Sequence, residues 1–180
     1  MNKQVLKLTA GFTLIKLLVT VSTMAILVTV AAPYLLSTLQ HSSAEASAQQ
    51  FHSALRQARV AAFYQASKSK ICSSTDGISC ANNSNWSTGY VILVDAADDA
   101  SFSTVIYGST GLPSQLSIFI VDGDANNINE ITFSPLEVLS AGATEYSLSI
   151  VPDNCEGSSN RSLTMTSIGK LTQAWVACPS

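Results

Sequence analysis

One apolar run, broken only by Lys16, limits what this chain can become more than any other feature. It extends from Phe12 to Ala32, 21 residues, within the segment GFTLIKLLVTVSTMAILVTVAAP at 11–33. A short leader carrying Lys3 and Lys7 precedes it. At ~1.5 Å per helical residue the run reaches roughly 31 Å, the thickness of one bilayer core. Lysines ahead of a span favour a cytoplasmic N-terminus, so everything after Pro33 is expected outside the cytoplasm. A secretory signal would have a shorter apolar core and a small-x-small cut site, and Ala31-Ala32-Pro33 is a poor one. A plain anchor explains the length but not the opening Gly-Phe-Thr-Leu-Ile.

That opening, GFTLI followed one residue later by LLVTV, resembles the class III leader of type IV pilins. The resemblance implies that a prepilin peptidase cleaves between Gly11 and Phe12 on the cytoplasmic side and that Phe12 is N-methylated. The apolar helix then stays on the mature protein and packs in a filament core, with Pro33 where pilins carry a helix-bending proline. The expected organisation is a leader at 1–11, a transmembrane and filament-core helix at 12–38, and a periplasmic globular domain at 39–180. Lys16 departs from the family pattern, which has a glutamate at the fifth residue after the cut. A helix N-terminus carries partial positive charge and cleavage adds an ammonium; a glutamate would neutralise both, whereas Lys16 adds a like charge. A lysine near the end of a span can snorkel to the headgroups, so membrane residence survives. Two readings follow: a tolerated variant in a scarce subunit, or a subunit that cannot make the usual pairing and so sits at a special place such as a filament tip or fails to polymerise alone.

Beyond Pro33, Ala44, Ala48, Phe51, Leu55, Ala58 and Ala62 recur at spacings of four and three, one face of an α-helix. The helix is therefore expected to run from near Phe12 to about Gln65, its second half laying an alanine-rich stripe on a sheet. The period then changes to two. Strands are predicted at 89–95, 102–107, 116–121, 131–134, 146–151, 162–166 and 171–177, with loops at 72–86 and 122–129. A helix at 39–65 against a β-rich 66–180 gives an α+β fold, a long N-terminal helix on antiparallel sheet. The pilin resemblance implies the type IV pilin fold.

The four cysteines are Cys72, Cys80, Cys155 and Cys178. No C-x-x-C occurs, which disfavours zinc, and export to an oxidising space makes disulfides the default. Three connectivities are open. The simplest joins neighbours in sequence, closing loops worth ~2.5 and ~3.5 kcal/mol on the chain-entropy estimate. ICSSTDGISC at 71–80, then Trp86 and GYVILVD at 89–95, is similar to the FimT/GspH family of minor pilins and pseudopilins. The upstream ALRQARVAAF and the closing series of Cys155, a strand at 162–166, Gly169-Lys170 and Cys178 fit the same family. The cysteine pairs lean toward its FimT side.

No catalytic constellation is present. His41 and His52 both lie on the predicted helix, and there is neither G-x-S-x-G nor a Gly-rich phosphate loop. The chain therefore reads as a non-enzyme without cofactor. Asp122, Asp124 and Asn126 alternate as in a calcium loop, but Asn127 and Phe133 stand where a glycine and a bidentate acid belong, so a polar turn is expected and no metal. The sequons at Asn82 and Asn85 read as chance in an Asn/Ser loop. Some FimT-type pilins bind DNA through a Gly-Arg-x-Arg-like turn, and here that turn is Gly169-Lys170-Leu171-Thr172. From residue 71 onward the two basic residues, Arg161 and Lys170, face eleven acidic ones, which repels phosphate overall. A local patch of Arg161 and Lys170, helped by Arg56, Arg59, Lys68 and Lys70, is the one route to DNA. The resemblance thus implies a minor type IV pilin of the inner membrane and then the pilus, partnered by other pilins. The alternatives are a type II secretion pseudopilin and a DNA-binding uptake pilin.

Overall fold

The computed structural model describes residues 13–97, 101–136 and 144–179, without the side chains at 30–34 and 36. Gly11 and Phe12, the expected cleavage and methylation positions, lie outside them. Helix α1 runs from Leu14 to Gln65, and the chain divides into two compact units, Met1–Leu39 and Gln40–Ser180.

In the first unit the described side chains of α1 are exposed, with Leu14, Ile15, Met24 and Leu27 all more than half accessible. Their helix carries threonines whose hydroxyls need no outside partner. Thr20 donates to the Leu17 carbonyl at 2.9 Å, Thr23 to that of Val19 at 3.0 Å and Thr29 to that of Ile26 at 2.8 Å. Such back-bonding satisfies a polar group within its own helix, the condition for lying among apolar neighbours. Among the described residues no helix is long and apolar enough to cross a membrane. The predicted span begins at Phe12 and ends within 30–32, whose side chains are not described.

In the second unit α1 buries Ala44, Ala48, Phe51, Leu55, Ala58 and Ala62. These are the positions picked out by the spacing of four and three. The helix ends where Ala66 takes a left-handed conformation (φ 48°) and the Ser67 N–H reaches back to the Ala62 carbonyl at 3.2 Å. Eight strands follow: β1 (Ser69–Ser73), β2 (Gly89–Val94), β3 (Thr104–Thr110), β4 (Leu116–Asp122), β5 (Glu130–Phe133), β6 (Glu145–Pro152), β7 (Asn160–Thr166) and β8 (Leu171–Val176). They form two four-stranded antiparallel sheets, ordered β3-β2-β1-β5 and β4-β6-β7-β8.

One core joins the helix stripe to both sheets. Phe51 packs on Trp86 and Tyr90 of the first sheet's side, while Ile118, Ile120, Leu148, Ile150 and Leu163 come from the second. Strand β2 is buried on both faces. Tyr90 and Ile92 meet the helix, and Val91 and Leu93 meet Cys72, Cys80 and Phe102 behind the sheet. Burial holds the Tyr90 hydroxyl protonated, with its pKa pushed up to about 12, and the neighbouring Tyr107 adds to the effect.

The structure corrects two expectations. The segment at 72–86 is not loop throughout, because Cys72 and Ser73 end β1, an inner strand of the first sheet. Polar Ser69 hid it: this buried serine donates its hydroxyl to the Ala58 carbonyl of the helix, a role that alternation of apolar residues cannot reveal. Strand β3 begins two residues later than predicted and runs on through Gly108. There the glycine is required, since a Cβ would sit 1.8 Å from the Gly77 carbonyl oxygen of the loop above.

Candidate interaction surface

The cysteines pair as sequence neighbours, Cys72 with Cys80 and Cys155 with Cys178. The first bridge closes a loop that Asp76 organises. Its carboxylate accepts the N–H groups of Ile78 and Ser79, each at 2.8 Å, and the Ser79 hydroxyl at 2.7 Å. Those donors, the Ser79 N–H foremost, hold the Asp76 carboxyl far below the usual range. The second bridge fastens the chain after β8 to the segment between β6 and β7.

Asp122 heads a turn of the same kind. Its Oδ1 accepts the Asn126 N–H at 2.8 Å and the Asp124 N–H at 3.0 Å, and these bonds lower its pKa, Asn126 contributing most. The carboxylate is thus occupied by its own loop, and no cluster of metal-ligating side chains occurs among the described residues. Asn85 caps the 3-10 turn Trp86–Thr88 by accepting the Ser87 N–H at 3.1 Å. Asn82 adopts a left-handed conformation in the same loop.

The predicted basic patch does not form around Arg161. Arg161 stands on β7 opposite Trp175, whereas Lys170 sits in the β7–β8 turn just before Leu171, which pairs with Met165. Four residues of strand separate the two ends, roughly 13 Å at the usual rise. Arg161 is also committed elsewhere. Its Nε lies 2.8 Å from Glu45 Oε2, its guanidinium donates to Gln173 Oε1 at 2.9 Å, and it lies over the Trp175 ring, 4.7 Å from the centroid. His41 stacks on the same ring at 3.9 Å. This set, His41 and Glu45 from the helix with Arg161 and Trp175 from the sheet, clamps α1 to the end of the β7–β8 hairpin. Lys70 is likewise taken, paired with Glu130 at 3.2 Å and lying over the Phe102 ring at 4.5 Å.

The turn that carries Lys170 meets a different group through Gly169 and Leu171. The face of α1 turned away from its buried stripe presents His52, Arg56, Arg59, Val60, Phe63 and Tyr64. With Gly169 and Leu171 these residues line a groove of about 480 Å³, and a shallower one of about 300 Å³ adjoins it along Ser53 and Gln57. Arg59 reaches across to the Gly169 carbonyl at 3.4 Å. The apolar and aromatic members stand open: Val60 is 51 % exposed, Phe63 71 % and Tyr64 81 %. Arg56 was only an auxiliary in the sequence reading, and Val60, Phe63 and Tyr64 were missed. Their signal was present in the spacing 52, 56, 60, 63, a second helical face running beside the alanine stripe.

Residues 47–169 match the family described as type II transport protein GspH. The chain belongs to the GspH family. The match begins inside α1 and stops before Lys170, so Lys16, β8 and Cys178 lie beyond it. The structure is similar to the type IV minor pilin FimU of Pseudomonas aeruginosa, with 20 % identity over 72 % of this chain and 87 % of that one and a TM-score of 0.55. It is similar to the minor pseudopilin EpsH of the Vibrio cholerae type II secretion system, with 16 % identity over 76 % of this chain and 98 % of that one at TM-score 0.52. E. coli GspH matches with 16 % identity over 76 % and 90 % of the two chains, TM-score 0.51. At these identities the likeness is one of fold: a GspH-family domain with the architecture of minor pilins and pseudopilins. No curated protein matches the chain.

Proposed function

We propose that the chain is a non-enzymatic minor pilin of the FimT/GspH type, held in the inner membrane and then extracted into a type IV pilus near its initiating end. The observation that carries this reading is the N-terminal half of α1. Its apolar side chains are exposed along the helix, and its threonine hydroxyls are satisfied by the helix's own carbonyls. Such a surface requires lipid or other helices around it, since exposed apolar area of this extent is costly in water. A prepilin peptidase would cut before Phe12 and leave the helix on the mature chain. Mass spectrometry of the membrane-extracted protein tests this. A mature chain beginning at a methylated Phe12 is expected, and one beginning downstream of Ala32 refutes the reading.

The fold serves a pseudopilin of a type II secretion system equally well. Deleting the gene separates the two: loss of surface pili marks a pilin, and loss of exported enzymes with pili intact marks a pseudopilin. DNA uptake has less support. Arg161 is engaged by Glu45, and eleven carboxylates populate the chain after residue 70. A gel shift of the full-length chain in detergent at low salt is expected to show no retardation of duplex DNA.

A further inference from the structure

Among the described residues no acidic side chain partners the groove on α1. Among the described residues the two ion pairs are Lys70 with Glu130 and Arg161 with Glu45, and neither touches the groove. Arg56 has no acidic partner among them, and Arg59 meets the Gly169 carbonyl. We propose that the groove docks an acidic, extended segment of a neighbouring subunit in the assembled fibre, its carboxylates meeting Arg56 and Arg59 and its apolar side chains covering Val60 and Phe63. The proposal rests on the reading that the chain assembles with pilin-like subunits.

Composition and charge favour this occupant. Arginine and tyrosine are the residues that concentrate at protein interface cores, and here they share one helix face with phenylalanine and valine. The cationic side is matched by an acidic protein segment, which needs only two or three carboxylates placed locally. A nucleic acid gains little from two arginines, since its affinity grows with the number of phosphates neutralised, and it meets repulsion from the acids on the rest of the domain. A groove of about 480 Å³ also suits a few side chains better than a duplex.

In-cell photocrosslinking of the full-length chain, expressed with its native partner subunits, tests the proposal. Phe63→benzoylphenylalanine reports from the groove, and Leu27→benzoylphenylalanine reports from the apolar helix. Support is an adduct at position 63 that maps by peptide sequencing to an Asp- or Glu-bearing segment of another filament subunit. It should fall at least about tenfold when Arg56→Glu and Arg59→Glu are added, and recover when the mapped acids are changed to lysine. Lys68→Glu, an exposed lysine outside the groove, should leave it within about twofold. Adducts at 27 without adducts at 63 overturn the groove proposal while leaving assembly standing. No adduct at either position sinks the pilin reading itself. A nuclease-sensitive adduct at 63, or one that maps to a segment without acids, also overturns the proposal.

Discussion

Phe51 and Phe63 are the same residue type on one helix, twelve positions apart, and they make a controlled comparison. Phe51 is fully buried, its ring centroid 4.8 Å from that of Tyr90 and 6.3 Å from that of Trp86, the latter edge-on. Phe63 is 71 % exposed. Truncating a buried phenylalanine removes its transfer free energy and leaves a cavity, about 3–5 kcal/mol together. Two aromatic contacts, each worth about 0.5–1.5 kcal/mol beyond area, place Phe51→Ala at the upper end of that range. The same change at Phe63 removes surface already in water and should cost less than about 0.5 kcal/mol. Urea titration of the full-length chain in detergent measures both, followed by the fluorescence of Trp86, which lies against Phe51. With a slope of about 2 kcal/mol/M, Phe51→Ala should lower the midpoint by roughly 2 M, and Phe63→Ala by less than about 0.3 M. Equal midpoint shifts would refute the assignment of the two helix faces, and with it the claim that the Phe63 face is free to receive a partner.

Acid should loosen the disulfide loop at 72–80. The folded pKa of Asp76 is depressed, so its stabilisation is present above the ordinary value of 3.8 and is lost as pH falls below it; Asp122, also depressed, adds in the same direction. Urea midpoints measured between about pH 5 and pH 2 should fall less steeply for Asp76→Asn, and an unchanged slope would contradict the hydrogen-bond assignment. Replacing Cys155 and Cys178 by alanine should destabilise by ~3.5 kcal/mol, against ~2.5 kcal/mol of cross-link loss for Cys72 and Cys80. Equal midpoint losses would mean that loop length does not set the difference. Lys16→Glu should raise incorporation into filaments, scored by immunoblot of sheared fibres, and unchanged incorporation would make Lys16 a tolerated variant.

What could be read from residues alone tracks where side-chain pattern and backbone need coincide. The helix stripe of Ala44 through Ala62 and the strand at 89–94 were legible because burial there falls on apolar residues at one period. Strand β1 was not, because Ser69 and Ser73 are buried through hydrogen bonds and the half-buried Lys70 pairs with Glu130. The split into two sheets was equally hidden, since pairing partners such as Ser69 with Phe133 lie far apart in sequence. At the surface, the Gly169-Lys170 turn was found as a motif, but its neighbours Arg56 and Arg59 come from more than a hundred residues away. The engagement of Arg161 is invisible in the sequence because Glu45, its partner, lies 116 residues away on the helix that the fold brings to it.

The distribution of charge gives the groove its direction. The chain carries a net −3, and all but one of its twelve acids lie after residue 70. Subunits of this kind repel one another over most of their surfaces, by an amount that salt screens. The cations that could offset this are not all free: Lys70 and Arg161 serve internal pairs, while Arg56 and Arg59 line one groove on the helix. An acidic segment that filled the proposed groove would come from a different part of the neighbour, since the groove itself is cationic. Between copies of one chain the proposed contact would be head-to-tail, which extends into a helical array wherever the rotation between neighbours does not close into a ring. In the proposed contact, broad repulsion would hold the acidic surfaces apart and the arginine and aromatic side chains of the groove would set the register.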